Sequence, residues 1–130
     1  MDAAGHFTRL EGDECRHLLR GQRIGRVSWL SSRGLQALPV TYSLVGDDII
    51  FRTSPDSVLG ELAESVAVCF QIDDLDPETL TGWSVLVQGV AHRLEGDPPG
   101  VVPDPWAPGE RPLTVIISPA TYSGRAVAAG

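Results

Sequence analysis

The chain contains no lysine; all ten of its cationic residues are arginine. That absence excludes Schiff-base chemistry on a lysine amine. Cysteine is scarce as well. Cys15 and Cys69 fall in a helical and a strand pattern with no metal-ligand spacing, so they read as reduced, mostly buried thiols. The three histidines, His6, His17 and His92, are scattered, and no His/Cys/Asp cluster reads as a zinc or haem site. No G-x-S-x-G elbow occurs, so no serine-hydrolase site is expected. No stretch approaches the ~18 consecutive apolar residues of a membrane span. The opening MDAAGHFTRLEGDE has neither a basic region nor an apolar core, so no signal peptide is expected and a cytoplasmic location is. The net charge of −7 and unclustered cations argue against a nucleic-acid partner.

What is present suits a single domain over residues 1–130, with an ordered core over about 11–125. Fourteen glycines and ten prolines favour short strands joined by tight turns. Asp13 is placed to cap a short helix over Glu14–Arg20, stopped by Gly21. Arg26–Leu30 reads as a strand. Leu38, Val40, Tyr42 and Leu44 then alternate with Ala37, Pro39, Thr41 and Ser43. Gly46-Asp47 is a hairpin signal returning the chain through Asp48–Thr53. Val58, Leu59 and Leu62 form the apolar stripe of a stronger helix. Val66, Val68, Phe70 and Ile72 alternate again. An acidic loop over 73–78 is expected, then a long strand from Gly82 to Leu94 buried on both faces. Residues 97–112 hold six prolines and read as a stiff loop, and Leu113–Ser118 is the last strand. Roughly six strands in sequential hairpins predict a mainly β fold with short helices, an antiparallel sheet closing into a barrel.

Two segments invite a functional reading. In IIFRTSPDSVLGEL a strand delivers Arg52 and Thr53 to a helix start, with Ser54 as N-cap, Pro55 as first residue and Ser57 in the first turn. A guanidinium, hydroxyls and helix amides together suit a phosphate, although a plain strand–cap–helix junction has the same pattern. The second is the flat face Ala37, Pro39, Thr41, Ser43, against which a planar ligand or another subunit could lie.

The order of pieces then becomes familiar. ECRHLLRGQRIGRVSW is followed by LPVTYSL, IIFRTSPDSVLGEL, DPETLTGWSVLVQGVA, PWAPGERP and TVIISPATYSGR. Together these resemble the pyridoxamine 5′-phosphate oxidase-like family, in its actinobacterial flavin- or deazaflavin-binding branch, over roughly Glu11 to Arg125. The resemblance implies a split antiparallel β-barrel of the FMN-binding type, working as a homodimer with the cofactor in a groove between subunits. The implied cofactor is FMN, with F420 as the alternative. Arg52, Thr53 and Ser57 would meet the cofactor phosphate. Pro39, Val40, Thr41 and Tyr42 would flank its ring, and Trp83, Ser84 and Val85 would approach it. Trp106 and Arg111 would reach it from the partner subunit.

One departure stands out. Relatives commonly carry Gly-Ser-Lys where this chain has Asp56-Ser57-Val58, so a phosphate there loses a cation and gains a carboxylate. Three functions stay open on the sequence: a flavin- or F420-dependent oxidoreductase for a small organic molecule, a non-catalytic cofactor-binding protein, or a cofactor-free dimeric scaffold. In the first, the cofactor carries the hydride chemistry and the catalytic residues are unknown. Tyr42 is the one nearby side chain nominated as a proton donor, and its alternation with Leu38, Val40 and Leu44 equally marks it as core.

Overall fold

The period-two patterns build a single curled antiparallel sheet. The computed structural model describes residues 6–96, 102–103 and 112–128. Its strands are β1 (His6–Arg9), β2 (Ile24–Ser31), β3 (Gly34–Thr41), β4 (Ser43–Val45), β5 (Asp48–Thr53), β6 (Val66–Asp76), β7 (Thr81–Arg93) and β8 (Leu113–Ala128). Helix α1 spans Gly12–Arg20, and a 3₁₀ helix spans Val58–Glu64. The strand order is β3-β2-β6-β7-β8-β5-β4, with β1 beside β8. β3 and β4 end that order on opposite sides, yet only Tyr42 separates them in the chain. The sheet must therefore curl until its two edges approach, and β3 does touch β5 across the seam. This is the mainly β, split antiparallel barrel expected from the sequence.

Alternation drives the interior. Val27, Ile49, Phe51, Phe70, Val85, Val87, Val115 and Ile117 point inward and are fully buried. On α1, Cys15 and Leu19 lie one turn apart and cover one end of the barrel. Both cysteines are unpaired; Cys15 is buried, which pushes its thiol pKa up, while Cys69 is only half-buried on the outer side. Gly25 is required by its neighbour, because a Cβ there would lie 2.1 Å from Phe70 Cζ.

Several local expectations are corrected. Helix α1 begins at Gly12 rather than Glu14, so Asp13 lies inside its first turn. There its carboxylate accepts from Arg16 Nη1 at 2.7 Å, and the Glu14 carboxylate accepts the Glu11 N–H at 3.0 Å. The stronger helix does not start at Ser54 and Pro55. Ser54–Ser57 is a turn closed by the Ser57 N–H on the Ser54 carbonyl at 3.1 Å, and a 3₁₀ helix follows with Ser57 as its N-cap. The turn folds back over that helix so closely that a Cβ on Gly60 would sit 2.4 Å from the Pro55 carbonyl oxygen.

The acidic segment is no loop up to Asp76. β6 runs through it, because Asp73, Asp74 and Asp76 pair their backbones with Ser84, Trp83 and Thr81 while the carboxylates stand in solvent. β8 continues well past Ser118, since the long β7 ladder extends to Val127. Pro119 is tolerated there at a bulge, where the register shifts between Gln88 and Gly89. β1 then adds to the extended part of β8, giving eight strands among the described residues rather than about six. In the single chain β7 is buried on one face only. Val85, Val87 and Ala91 are inside, whereas Leu86 is half-buried and Gln88 and Val90 are exposed. Most of the proline-rich segment 97–112 lies outside the described residues.

Candidate functional site

The strand that carries Arg52 alternates strictly. Ile49, Phe51 and Thr53 face the core, so Ile50 and Arg52 face outward. Arg52 and Thr53 therefore project to opposite faces of β5. Thr53 is 3 % exposed, and its Oγ1 lies 2.9 Å from Ser57 Oγ. Ser57 Oγ donates its only proton to the Ser54 carbonyl at 2.7 Å, which leaves Thr53 as the donor of the pair. Both hydroxyl protons are thus committed to closing the turn. Arg52 is half-buried and already engaged within the protein. Val58, in the position of the family's lysine, packs against the core, and Asp56 is exposed.

The strand expected to flank a ring splits by face. Pro39 is exposed and pairs with Arg26, while Thr41 is half-buried and pairs with Ile24. Val40 and Tyr42 point inward, at 8 % and 3 % exposure. The Tyr42 hydroxyl donates to the Leu19 carbonyl at 2.7 Å, and its ring meets Phe70 edge-on at 5.0 Å. Burial pushes its pKa far above the ordinary phenol range. A phenol so buried and bonded ties the β3–β4 corner to α1 and is a poor proton donor to any ligand.

Trp83 is half-buried against the core, Val85 is inside it, and Ser84 faces outward. Their place along β8 matters most. Arg52 pairs with Thr114 and Trp83 pairs with Ala126. The twelve intervening steps correspond to roughly 40 Å of strand path. Within one chain the Arg52–Ser57 set and the Trp83–Ser84 set stand at opposite ends of β8 and do not converge. Pro39 does share an outer row with part of β7: the registers run Pro39, Arg26, Gln71, Leu86, Ser123 across five strands. Trp106 and Arg111 lie outside the described residues.

The sequence gives no signal for two features. The Glu61 carboxylate accepts both the Ser32 N–H (3.1 Å) and the Ser32 hydroxyl (2.7 Å), fastening the 3₁₀ helix to the β2–β3 turn. The Ser32 hydroxyl, then its amide, holds the Glu61 carboxyl below the usual carboxylate range. The buried Trp29 Nε1 faces the same carboxylate without completing a hydrogen bond. The second feature is a direct pairing of Arg9 with Arg125 across β1 and β8. Only the three-dimensional structure could reveal either contact. Among the described residues no group of three or more His, Cys, Asp or Glu is placed to hold a metal ion, and no helix is long and apolar enough to cross a membrane.

The model of the pyridoxamine 5′-phosphate oxidase family matches residues 11–126. The chain belongs to that family. Among individual proteins, it is 30% identical over 132 residues to the uncharacterized protein Rv0080 of Mycobacterium tuberculosis, covering 94% of this chain and 86% of that protein. The structure of the FAD binding protein from Mycobacterium smegmatis superposes with a TM-score of 0.73 at 27% identity, covering 93% of this chain and 98% of the other. The conserved protein of unknown function DIP1874 from Corynebacterium diphtheriae gives a TM-score of 0.73 at 26% identity, covering 94% and 98%. Family membership and the curled sheet described above thus agree over nearly the whole chain.

Proposed function

We propose that this protein binds a flavin nucleotide, FMN or FAD, in a groove between two copies of the chain. The observation that carries this reading is the near full-length likeness to the Mycobacterium smegmatis FAD binding protein. The spread of the site residues supports the dimer. Side chains that the family resemblance assigns to one cofactor lie at opposite ends of β8, so only a second chain could bring one set beside the other. A bound flavin would supply hydride transfer to or from a small organic molecule. This chain's share is position: Arg52 offers charge from the outer side of β5, while Pro39, Thr41 and Ser84 present a flat outer surface. The deazaflavin F420 is the alternative cofactor in this reading.

A second reading, a cofactor-free dimeric scaffold, is favoured by one specific observation. The Thr53 and Ser57 hydroxyls are closed onto the turn, and Val58 is packed into the core. The visible spectrum of the purified protein separates the two readings. A flavin band released on denaturation, or saturable binding of added FMN or FAD by a dimer in size-exclusion chromatography, supports the first. A colourless protein that binds neither flavin nor F420 overturns it and leaves the scaffold.

A further inference from the structure

On the outer side of the sheet, Arg26 of β2 stands between Pro39 of β3 and Gln71 of β6, its direct partners in the two ladders. All three residues are exposed. Asp73 leaves the same face of β6 two residues further on, diagonal to Arg26. Diagonal neighbours of this kind are roughly 7–8 Å apart, close enough for a long side chain to reach across. Arg26 and Asp73 nevertheless form no ion pair. Among the described residues the ion pairs are those of Arg16 with Asp13 and Asp47. The side-chain amides of Gln22 and Gln71 likewise have no hydrogen-bond partner among the described residues.

These four polar side chains line one hollow of about 240 Å³, and Ile24 and Pro39 give it apolar walls. At about 30 Å³ per water, that is the volume of about eight waters, which suits a ligand of about that many non-hydrogen atoms or fewer. The floor is held by paired strands, with Gly25 pressed against the Phe70 ring, so the side chains start from fixed positions. The charges select the ligand. A lone carboxylate drawn to Arg26 faces the like charge of Asp73, and a lone amine drawn to Asp73 faces the like charge of Arg26. A molecule carrying both groups satisfies both residues at once, its stem lying between Ile24 and Pro39.

We propose that this hollow binds a small zwitterion that joins a carboxylate to a protonated amine, with the carboxylate on Arg26 and the amine on Asp73. Its use as a substrate site rests on the flavin reading, because Pro39 borders both the hollow and the surface assigned to the flavin ring. The probes are β-alanine and γ-aminobutyrate, titrated calorimetrically into the purified protein at constant ionic strength. Butyrate and butylamine are the single-charge controls. At least one zwitterion is expected to bind saturably, about tenfold or more tighter than either control. Arg26→Gln and Asp73→Asn should each weaken that binding about tenfold or more, since a charge-assisted hydrogen bond is lost. Each should also change the preference in its own direction. Arg26→Gln should no longer favour the zwitterion over butylamine, and Asp73→Asn should no longer favour it over butyrate. Arg93→Gln, which removes an exposed cation away from the hollow, should bind as the wild type does.

Both Arg26 and Asp73 are exposed, so the two variants are expected to melt as the wild type does. The proposal is overturned if neither zwitterion binds, if the controls bind as tightly, if either variant keeps the wild-type affinity and preference, or if Arg93→Gln abolishes binding. The visible spectrum keeps this apart from the flavin reading. A colourless protein that binds a zwitterion in this pattern supports the hollow and overturns only the flavin. A flavin-loaded protein that binds neither zwitterion overturns the hollow and leaves the flavin reading standing.

Discussion

The two ends of β8 both carry arginine, and they treat polar groups in opposite ways. At the β5 end the polar residues finish the fold: Thr53 is buried, its hydroxyl is bound to Ser57, and Ser57 is bound to the Ser54 carbonyl. At the β1 end, Arg9 and Arg125 are direct ladder partners, and among the described residues no carboxylate is paired with either. The first end looks like a site in sequence because its residue types are adjacent. The second has no sequence signature, since its arginines are 116 positions apart. Proximity in the chain reports turn-making as readily as binding. Unrelieved charge in the folded state is the more telling sign, because folding alone gives no reason to tolerate it.

Four substitutions test this contrast, and the largest effect is expected at the closed end. Gly60→Ala places a Cβ against the Pro55 carbonyl, so the backbone of the turn must shift. A loss of about 1–3 kcal/mol is expected, as for other overpacked sites, read from urea unfolding. A mild effect would mean that the Ser54–Ser57 turn is not fixed as described. Thr53→Val removes the donor to Ser57 and should cost about 1 kcal/mol. If flavin affinity fell while stability held, Thr53 would belong to a binding site rather than to the turn.

At the open end the sign reverses. Arg9→Gln should gain roughly 0.2–1 kcal/mol in the absence of anions, visible as a higher unfolding midpoint. Glu61→Gln is expected to act chiefly through pH. The Glu61 carboxyl is held below its ordinary value of 4.5 by the Ser32 hydroxyl and amide. Its contribution is therefore present above that pH and is lost as the carboxylate protonates on further acidification. Thermal melts of the wild type should show this acid-side loss, and the Gln variant should lack the corresponding component. Identical acid profiles would show that the link between the 3₁₀ helix and the β2–β3 turn contributes nothing.

Much of the architecture was legible in the chain. Alternation at Leu38–Leu44 and Val66–Ile72 marked strands whose inward Val40, Tyr42, Val68, Phe70 and Ile72 are buried and whose Leu38, Leu44 and Val66 are half-buried against the core, and Gly46-Asp47 marked the β4–β5 turn. The errors share a cause: local propensity met a tertiary partner it could not foresee. Aspartate disfavours strands, yet β7 offered Asp73, Asp74 and Asp76 a complete ladder. Ser-Pro signals a helix start, yet the close approach of Pro55 to Gly60 turned that stretch into a cap of a different kind. Of the site residues, positions were readable but directions were not. Arg52 and Thr53 are neighbours in sequence and diverge in space, because strand side chains alternate. Tyr42 was legible as core from its alternation, and its hydrogen bond to Leu19 closed the remaining question.

By itself the sequence determined the fold class and the family. Both rest on the order of apolar alternations, glycine turns and motif strings, which are properties of the chain read in line. It also determined what chemistry could be absent, beginning with lysine. The tertiary structure alone decided which polar groups are spent and which remain available. That depends on strand register, which sets the face of every side chain and joins residues more than a hundred positions apart. Register placed Thr53 inside, sent Arg52 outside, and set Arg9 beside Arg125.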